Sequence, residues 1–210
     1  MAGPDLEQER ELWEAGCRRV AGLDEAGRGA WAGPVVAAAV VLPAERSDLS
    51  EILRGVNDSK QLNPRQREAL LPVICETALA VGVGMTSAQY IDAQGIVAAT
   101  REAMRLALAN LYVTCDYLLV DALTLPAVHV PQRALVKGDA RVLSIAAASI
   151  VAKVTRDRWM VALDEEQPGY GFAAHKGYGT AVHRAALQRF GPCAAHRMSF
   201  APLRCLQCRL

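Results

Sequence analysis

Two adjacent carboxylates, Asp24 and Glu25, precede a bend with glycines at 27, 29 and 33, and an uninterrupted apolar run from Val35 to Leu42 follows. No other stretch constrains the fold as much. Val20 to Leu23 and Pro34 to Leu42 have the apolar, β-branched character of strands. The glycines and Pro34 between them are turn chemistry, so the stretch predicts a hairpin. Acids at a strand end, facing a glycine-rich bend, suit metal ions and a phosphate. Hard cations take oxygen ligands, usually carboxylates together with substrate phosphate. Glycine has no Cβ to keep a ligand away from backbone N–H groups. The same residues also read as a solvated acidic pair beside an ordinary turn, and on these residues alone both readings stand.

The chain after the hairpin alternates helical and strand patterns. Asn57-Asp58-Ser59-Lys60 is a polar loop of turn-forming residues. Asn63, Pro64 and Gln66 predict a helix start, with Asn63 as N-cap, Pro64 in the first helical position and Gln66 completing a capping box. Ala78 to Met85 reads as a strand whose small residues suit close approach of a helix. Residues 88–111 show an apolar stripe near a 3.6-residue period, and Gly95 inside it predicts a kink or loosened turn. Tyr117 to Val120 reads as a buried strand ending in Asp121. Arg133 to Val136 reads as another, ending in Lys137-Gly138-Asp139. Strand ends carry functional residues in many α/β sheets. Leu143 to Glu165 is a second long helical pattern with an alanine-rich face. Its Lys153, Arg156 and Arg158 read as solvated or paired charges, Lys153 being the best candidate among them for a substrate contact. The loop 167–179 holds Tyr170, His175, Lys176 and Tyr178. Thr180 caps a short helix that stops at Gly191-Pro192.

Net charge is +1, so the molecule as a whole is not a basic nucleic-acid binder, and the distribution of charge matters more than the total. Residues 5–14 carry five acids and one arginine, whereas residues 133–158 carry six Lys or Arg and two Asp. Residues 175–197 hold Lys176, Arg184, Arg189 and Arg197 with three histidines and no acid. These stretches read as solvated helix faces or as a one-sided phosphate-facing surface. The 210 residues suffice for one domain with a substantial core. No apolar run approaches the ~18 residues of a membrane span, and the acidic N-terminus is unlike a secretory signal. The expectation is a cytoplasmic protein that does not engage a membrane.

The sequence resembles the type 2 ribonucleases H, the ribonuclease HII family. DEAGRG with AGPVVAAAVVL looks like that family's first motif. NDSKQL at 57–62, LLVDA at 118–122, KGDARVLSIAAASIVAKVTRDR at 137–158, HKGYGT at 175–180 and HRMSFAPL at 196–203 follow in the family's order. The resemblance implies an α/β, ribonuclease H-like fold with a mixed central sheet flanked by helices. It assigns residues 20–203 to one catalytic domain, after a polar extension at 1–19 and before a tail at 204–210. It implies a metal-dependent endonuclease that cuts the RNA strand of RNA–DNA hybrids and cuts at single ribonucleotides in duplex DNA. Products would carry 5′-phosphate and 3′-hydroxyl ends, and the role would be ribonucleotide and RNA-primer removal. It implies that Asp24, Glu25, Asp121 and Asp139 converge as ligands to two Mg²⁺ or Mn²⁺ ions, since four carboxylates at one point repel unless cations join them. Gly27, Arg28, Gly29, Lys60, Lys153 and Tyr178 are the expected substrate contacts. The partners would be the hybrid duplex and ribonucleotide-containing DNA, bound by a monomer.

Two other readings compete. One is a nucleic-acid-binding module without activity, which loss of any of the four acids would favour; all four are present. The other is a zinc protein, because Cys193-x-x-His196 and Cys205-x-x-Cys208 have zinc-like spacing. Cys75 and Cys115 lie in apolar surroundings and read as small core residues, and disulfides are not the default in a cytosolic chain.

Overall fold

The computed structural model describes residues 3–207. In chain order the elements are α1 (Glu7–Glu14), β1 (Val20–Ala26), β2 (Val35–Val41), α2 (Leu49–Ile52), α3 (Pro64–Thr77), β3 (Ala80–Thr86), α4 (Ala88–Gln94) and α5 (Ile96–Ala109). They continue with β4 (Tyr117–Asp121), β5 (Gln132–Leu135), a 3₁₀ turn at Gly138–Ala140, α6 (Leu143–Glu166), α7 (Phe172–His175), α8 (Ala181–Phe190) and α9 (Ala201–Gln207). The strands form one mixed sheet in the order β3-β2-β1-β4-β5. The expected hairpin is there, with β1 antiparallel to β2 in the register Asp24↔Ala38 and Glu25↔Ala37. β1 runs parallel to β4, and β4 parallel to β5. The α/β architecture is therefore a mixed sheet covered by helices on both faces.

Every residue of β2 is buried, because the strand is inside the sheet and helices cover both sides. One face meets α6, with Ile145, Ala146, Ala148 and Ile150 in a core that includes Val40, Leu42 and Leu119. The other meets α5, through Ala99, Ala103, Met104 and Ala107 against Leu23, Val35, Val41 and Leu118. Fully burying a Leu or Val side chain contributes about 1.5–3 kcal/mol, so these two layers dominate the stability. Small residues set the layer spacing. A Cβ at Gly84 would lie 2.1 Å from the Ala103 carbonyl, and one at Gly22 would lie 2.3 Å from the Ser144 backbone.

The helix starts follow the local chemistry. Asn63 accepts from the Gln66 amide at 3.0 Å while the Gln66 side chain accepts from the Asn63 amide at 2.9 Å, so the capping box is complete. Thr180 caps α8 by accepting from the His183 amide. α6 has no side-chain cap of its own at Val142. Glu9 of α1 supplies one from elsewhere, accepting from the Ser144 amide at 2.7 Å. A carboxylate is favoured at a helix N-terminus, so this contact docks α1, within the polar extension before β1, onto the start of α6.

Two expectations change. The pattern at 88–111 is two helices rather than one kinked helix, because Gly95 has φ +81° and ψ 159°, a conformation closed to other residues. Cys75 is exposed on α3 rather than part of the core, whereas Cys115 is half-buried. Among the described residues no helix is long and apolar enough to cross a membrane.

Candidate active site

β1 extends to Ala26, three residues beyond the predicted strand end, so Asp24 and Glu25 lie within it. The parallel register pairs Leu23 with Val120, and one step further sets Asp24 beside Asp121, the last residue of β4. Asp121 in turn pairs with Leu135 of β5. Asp139 does not end β5. It sits in the 3₁₀ turn that follows, which Lys137 enters in the left-handed conformation at φ +56°. This turn folds back on β4, and the Gly138 amide donates to Asp121 Oδ1 at 2.7 Å.

The four acids lie in one another's fields. Burial pushes the Asp24 carboxyl well above its ordinary range, and the charges of Glu25, Asp121 and Asp139 push it the same way. Burial also raises Glu25, against the nearby Arg28 guanidinium, and raises Asp121, against the Gly138 amide. Asp24 is 3 % exposed and Asp139 5 %. Each acid has a local partner. The Glu25 amide donates to Asp24 at 2.7 Å, Arg28 donates to Glu25 Oε1 at 3.2 Å, and Lys60 Nζ lies 2.9 Å from Asp139 Oδ2. Glu25 Oε2 is buried and has no partner.

These residues fit a hard divalent cation by donor chemistry. All are carboxylates, their charges oppose one another, and one buried oxygen is unsatisfied. They do not form a closed cage, since among the described residues no three His, Cys, Asp or Glu side chains are grouped tightly enough to hold an ion. The arrangement is an open acidic edge on which substrate oxygens could complete a coordination sphere.

The expected substrate residues fall into two sets. Lys60 joins the acids directly, with Asp58 3.7 Å from its ammonium. Burial works against the Lys60 charge, but the hydrogen bond and charge of Asp139, with Asp58 and Asp24, outweigh it and hold the proton more firmly than usual. Asp58 was not among the expected site residues; its signal is its place beside Lys60 in NDSKQL. The second set is the bend with Tyr178 and Lys153. Lys153 Nζ is 2.7 Å from Asp157 and 5.9 Å from the centre of the Tyr178 ring. Glu25 joins the sets through its contact with Arg28.

Arg156 is not a solvated charge. It is fully buried and donates to the carbonyls of Pro34 at 2.9 Å, Ala32 at 3.1 Å and Lys176 at 3.0 Å. Arg197, also fully buried, donates to Gly33 and Arg28 carbonyls. Burial and then the charge of Arg156 lower its pKa to about 9. Arg156 clamps the glycine bend to the loop carrying Tyr178, and Arg197 ties the two ends of the bend together. Gly27 is required for the same reason: at φ +92°, its Cβ would lie 1.9 Å from Arg156 Nε. Gly29 has nothing within 4 Å of the same position, so its backbone faces open space.

Cys193 and His196 meet, with Sγ 3.2 Å from Nδ1, but the Cys193 amide already donates to that nitrogen at 2.9 Å. Cys205 is exposed, and Cys208 lies outside the described residues.

Comparison with known proteins agrees with this architecture. A family model described as ribonuclease HII matches residues 21–203. The ribonuclease HII of Roseiflexus castenholzii is 56% identical over 200 residues, covering 95% of this chain and 89% of that protein. That of Chloroflexus aurantiacus is also 56% identical over 200 residues, covering 95% and 94%. Among solved structures, ribonuclease H2 from Pyrococcus horikoshii OT3 is similar with a TM-score of 0.76 at 29% identity, covering 91% of this chain and 98% of that one.

Proposed function

The chain belongs to the ribonuclease HII family, a family of metal-dependent ribonuclease H hydrolases, and from that premise we propose the following reaction. The protein hydrolyses phosphodiesters on the RNA strand of RNA–DNA hybrids and at single ribonucleotides embedded in duplex DNA, leaving 5′-phosphate and 3′-hydroxyl ends. It serves ribonucleotide and RNA-primer removal, as a cytoplasmic monomer whose partner is the duplex itself.

The observation that supports this reading is the β1–β4 register, whose last pair, Leu23↔Val120, immediately precedes Asp24 and Asp121, while the charges of Asp121 and Asp139 both bear on Asp24. Asp24, Glu25, Asp121 and Asp139 would hold two Mg²⁺ or Mn²⁺ ions, which supply activation of water and neutralise charge on the phosphate and the leaving 3′-oxygen. The chain's own contribution is placement. Lys60, an exposed ammonium beside Asp139, offers a positive charge to a phosphate. The open backbone at Gly29 lets amide and carbonyl groups reach the 2′-hydroxyl, the mark that separates ribose from deoxyribose. A site that bonds that hydroxyl rejects DNA because its own polar groups are otherwise left unpaired. Tyr178, a residue 38 % exposed, meets the same sugar, and Lys153 beside it adds charge. No serine, cysteine or histidine nucleophile enters this scheme.

The test is cleavage of a duplex with one ribonucleotide in Mg²⁺, beside an all-DNA duplex of the same sequence. Cleavage of the first alone, abolished by EDTA and restored by Mg²⁺, is expected. Cleavage of both, or activity that survives EDTA, would overturn the proposal.

A further inference from the structure

Tyr178 sits in a loop that holds its amide, donated to the His175 carbonyl at 3.0 Å, and shares its carbonyl between the Thr180 amide at 2.8 Å and a histidine from outside the loop. Lys176 at φ +53° and Gly177 at φ +78° precede it in left-handed conformations, and a non-glycine residue there is costly unless its surroundings impose it. Three histidines lie together here, His175 within the loop and His183 and His196 beneath it. His183 is fully buried and His196 is 2 % exposed. His175 stacks on His183 with ring centres 4.5 Å apart. Phe172 meets His183 edge-on at 5.6 Å, and Tyr170 lies against His196 at 5.1 Å.

The hydrogen bonds determine where the protons sit. Tyr178 O can only accept, so His183 Nδ1, 3.0 Å away, carries a proton. With His183 neutral, its Nε2 accepts, and the donor is His196 Nε2 at 3.0 Å. His196 Nδ1 is then bare and accepts from the Cys193 amide at 2.9 Å. His175 is set likewise: Nδ1 accepts from the Gly177 amide and Nε2 donates to Tyr170 O. Each ring nitrogen has a partner of the right sense, and His196 Nδ1 also lies 3.2 Å from the Cys193 thiol and 3.2 Å from the Cys193 carbonyl, to which a bare nitrogen makes no hydrogen bond. The chain of donors runs from the Cys193 backbone through two imidazoles to the carbonyl of Tyr178. Burial keeps both rings neutral, moving the His183 pKa down and that of His196 down to about 4. The other polar groups near them are Tyr170 Oη, which donates to Gly191 O, the Cys193 thiol, and Arg184, stacked over Trp31; none is an acid that would favour a charged imidazole.

We propose that His183, oriented by His196, is a positioning residue that fixes the backbone of Tyr178 and so aims its ring at the ribonucleotide. This rests on the reading of Tyr178 as a residue that meets the sugar. Neither histidine touches substrate. Their effect is geometric, and misplacement by about 1 Å can cost up to about a hundredfold in rate.

The experiment compares His183→Phe, His183→Asn and Tyr178→Ala with the wild type on the single-ribonucleotide duplex, measuring kcat, KM and Tm. Phenylalanine keeps the stack and loses the donor, whereas the asparagine amide can replace Nδ1–H. His183→Phe should lose about tenfold or more in kcat, with KM little changed, and His183→Asn should recover most of it. A merely structural histidine would lower Tm in both variants and leave kcat unchanged, which would overturn the proposal, as would an asparagine variant as impaired as phenylalanine. If Tyr178→Ala is impaired while His183→Phe is not, only the positioning role fails. If Tyr178→Ala has wild-type kinetics, the reading of Tyr178 fails and takes the proposal with it. Should His183→Phe not fold, long-range ¹H–¹⁵N spectra of the wild-type protein decide. A proton on His183 Nδ1 and on His196 Nε2 is expected, and a proton on His183 Nε2 instead would contradict it.

Discussion

Lys60 Nζ stands 2.9 Å from Asp139 Oδ2, a contact between residues 79 positions apart that brings the NDSKQL loop to the acidic edge. The ammonium competes with any cation for that oxygen and is itself available to a phosphate. Lys60→Gln should therefore tighten Mg²⁺ or Mn²⁺ binding to the free protein a few-fold and weaken affinity for the duplex, with a smaller salt dependence. Calorimetry with metal alone and duplex titrations at two salt concentrations check both. Weaker metal binding in the variant would contradict the competition.

Two glycines of one bend should behave oppositely. Gly27→Ala sets a Cβ against the Arg156 guanidinium at a positive φ, so it should lower Tm and disturb the clamp that Arg156 forms. Gly29→Ala meets nothing and should keep the wild-type Tm while losing cleavage, because the added methyl occupies the space where the sugar approaches. Thermal denaturation beside cleavage rates decides. A Gly29→Ala protein with full activity would remove Gly29 from the substrate surface.

Asp24→Asn should stabilise the protein in metal-free buffer. Asp24 has a folded pKa above its unfolded value of 3.8, so the folded state binds more protons and this residue costs stability as pH rises through that interval. Asparagine can still accept from the Glu25 amide and carries no charge. The variant is therefore expected to be more stable than wild type at pH 7. The gain should fade below pH 3.8, where the aspartate is protonated in both states. Denaturation with urea in EDTA at several pH values tests it; a destabilised variant at pH 7 would contradict the crowded-acid description.

His196 gives the opposite slope. Its folded pKa of about 4 lies below the unfolded 6.5, so its contribution is full above pH 6.5 and is lost as pH falls toward 4, in total about 3 kcal/mol. His196→Gln does not titrate, so its stability deficit relative to wild type should shrink across that window. A deficit constant from pH 7 to pH 4 would show that His196 is not kept neutral by the fold.

Local chemistry was legible in the sequence. The capping box at Asn63 and Gln66, the hairpin across the glycine bend and the Thr180 cap depend on neighbours a few residues apart, and they stand where expected. What depended on distant partners was not. Arg156 looked like a helix-face charge because its acceptors are carbonyls 20 to 124 positions away, and a carbonyl leaves no trace in side-chain type. Cys75 looked buried because its neighbours are apolar, but it faces outward from α3. The apolar run that marks β1 ends at Leu23, but the strand continues through Asp24 and Glu25 because their backbones pair with Ala38 and Ala37 of β2. That strands β1, β4 and β5 are consecutive neighbours, and so gather the acids, was implied by family resemblance and by nothing in the spacing of the residues.

The central claim is that the acids cut and other residues bind. The most direct measurement is single-turnover cleavage of a single-ribonucleotide duplex in saturating Mg²⁺ by Asp24→Asn and Asp139→Asn, with duplex affinity measured on the same preparations. Both variants are expected to bind within a few-fold of wild type and to lose nearly all cleavage, because an amide is a poorer, uncharged ligand. Near-normal turnover in either variant would contradict the assignment of that carboxylate and the two-ion site built on it.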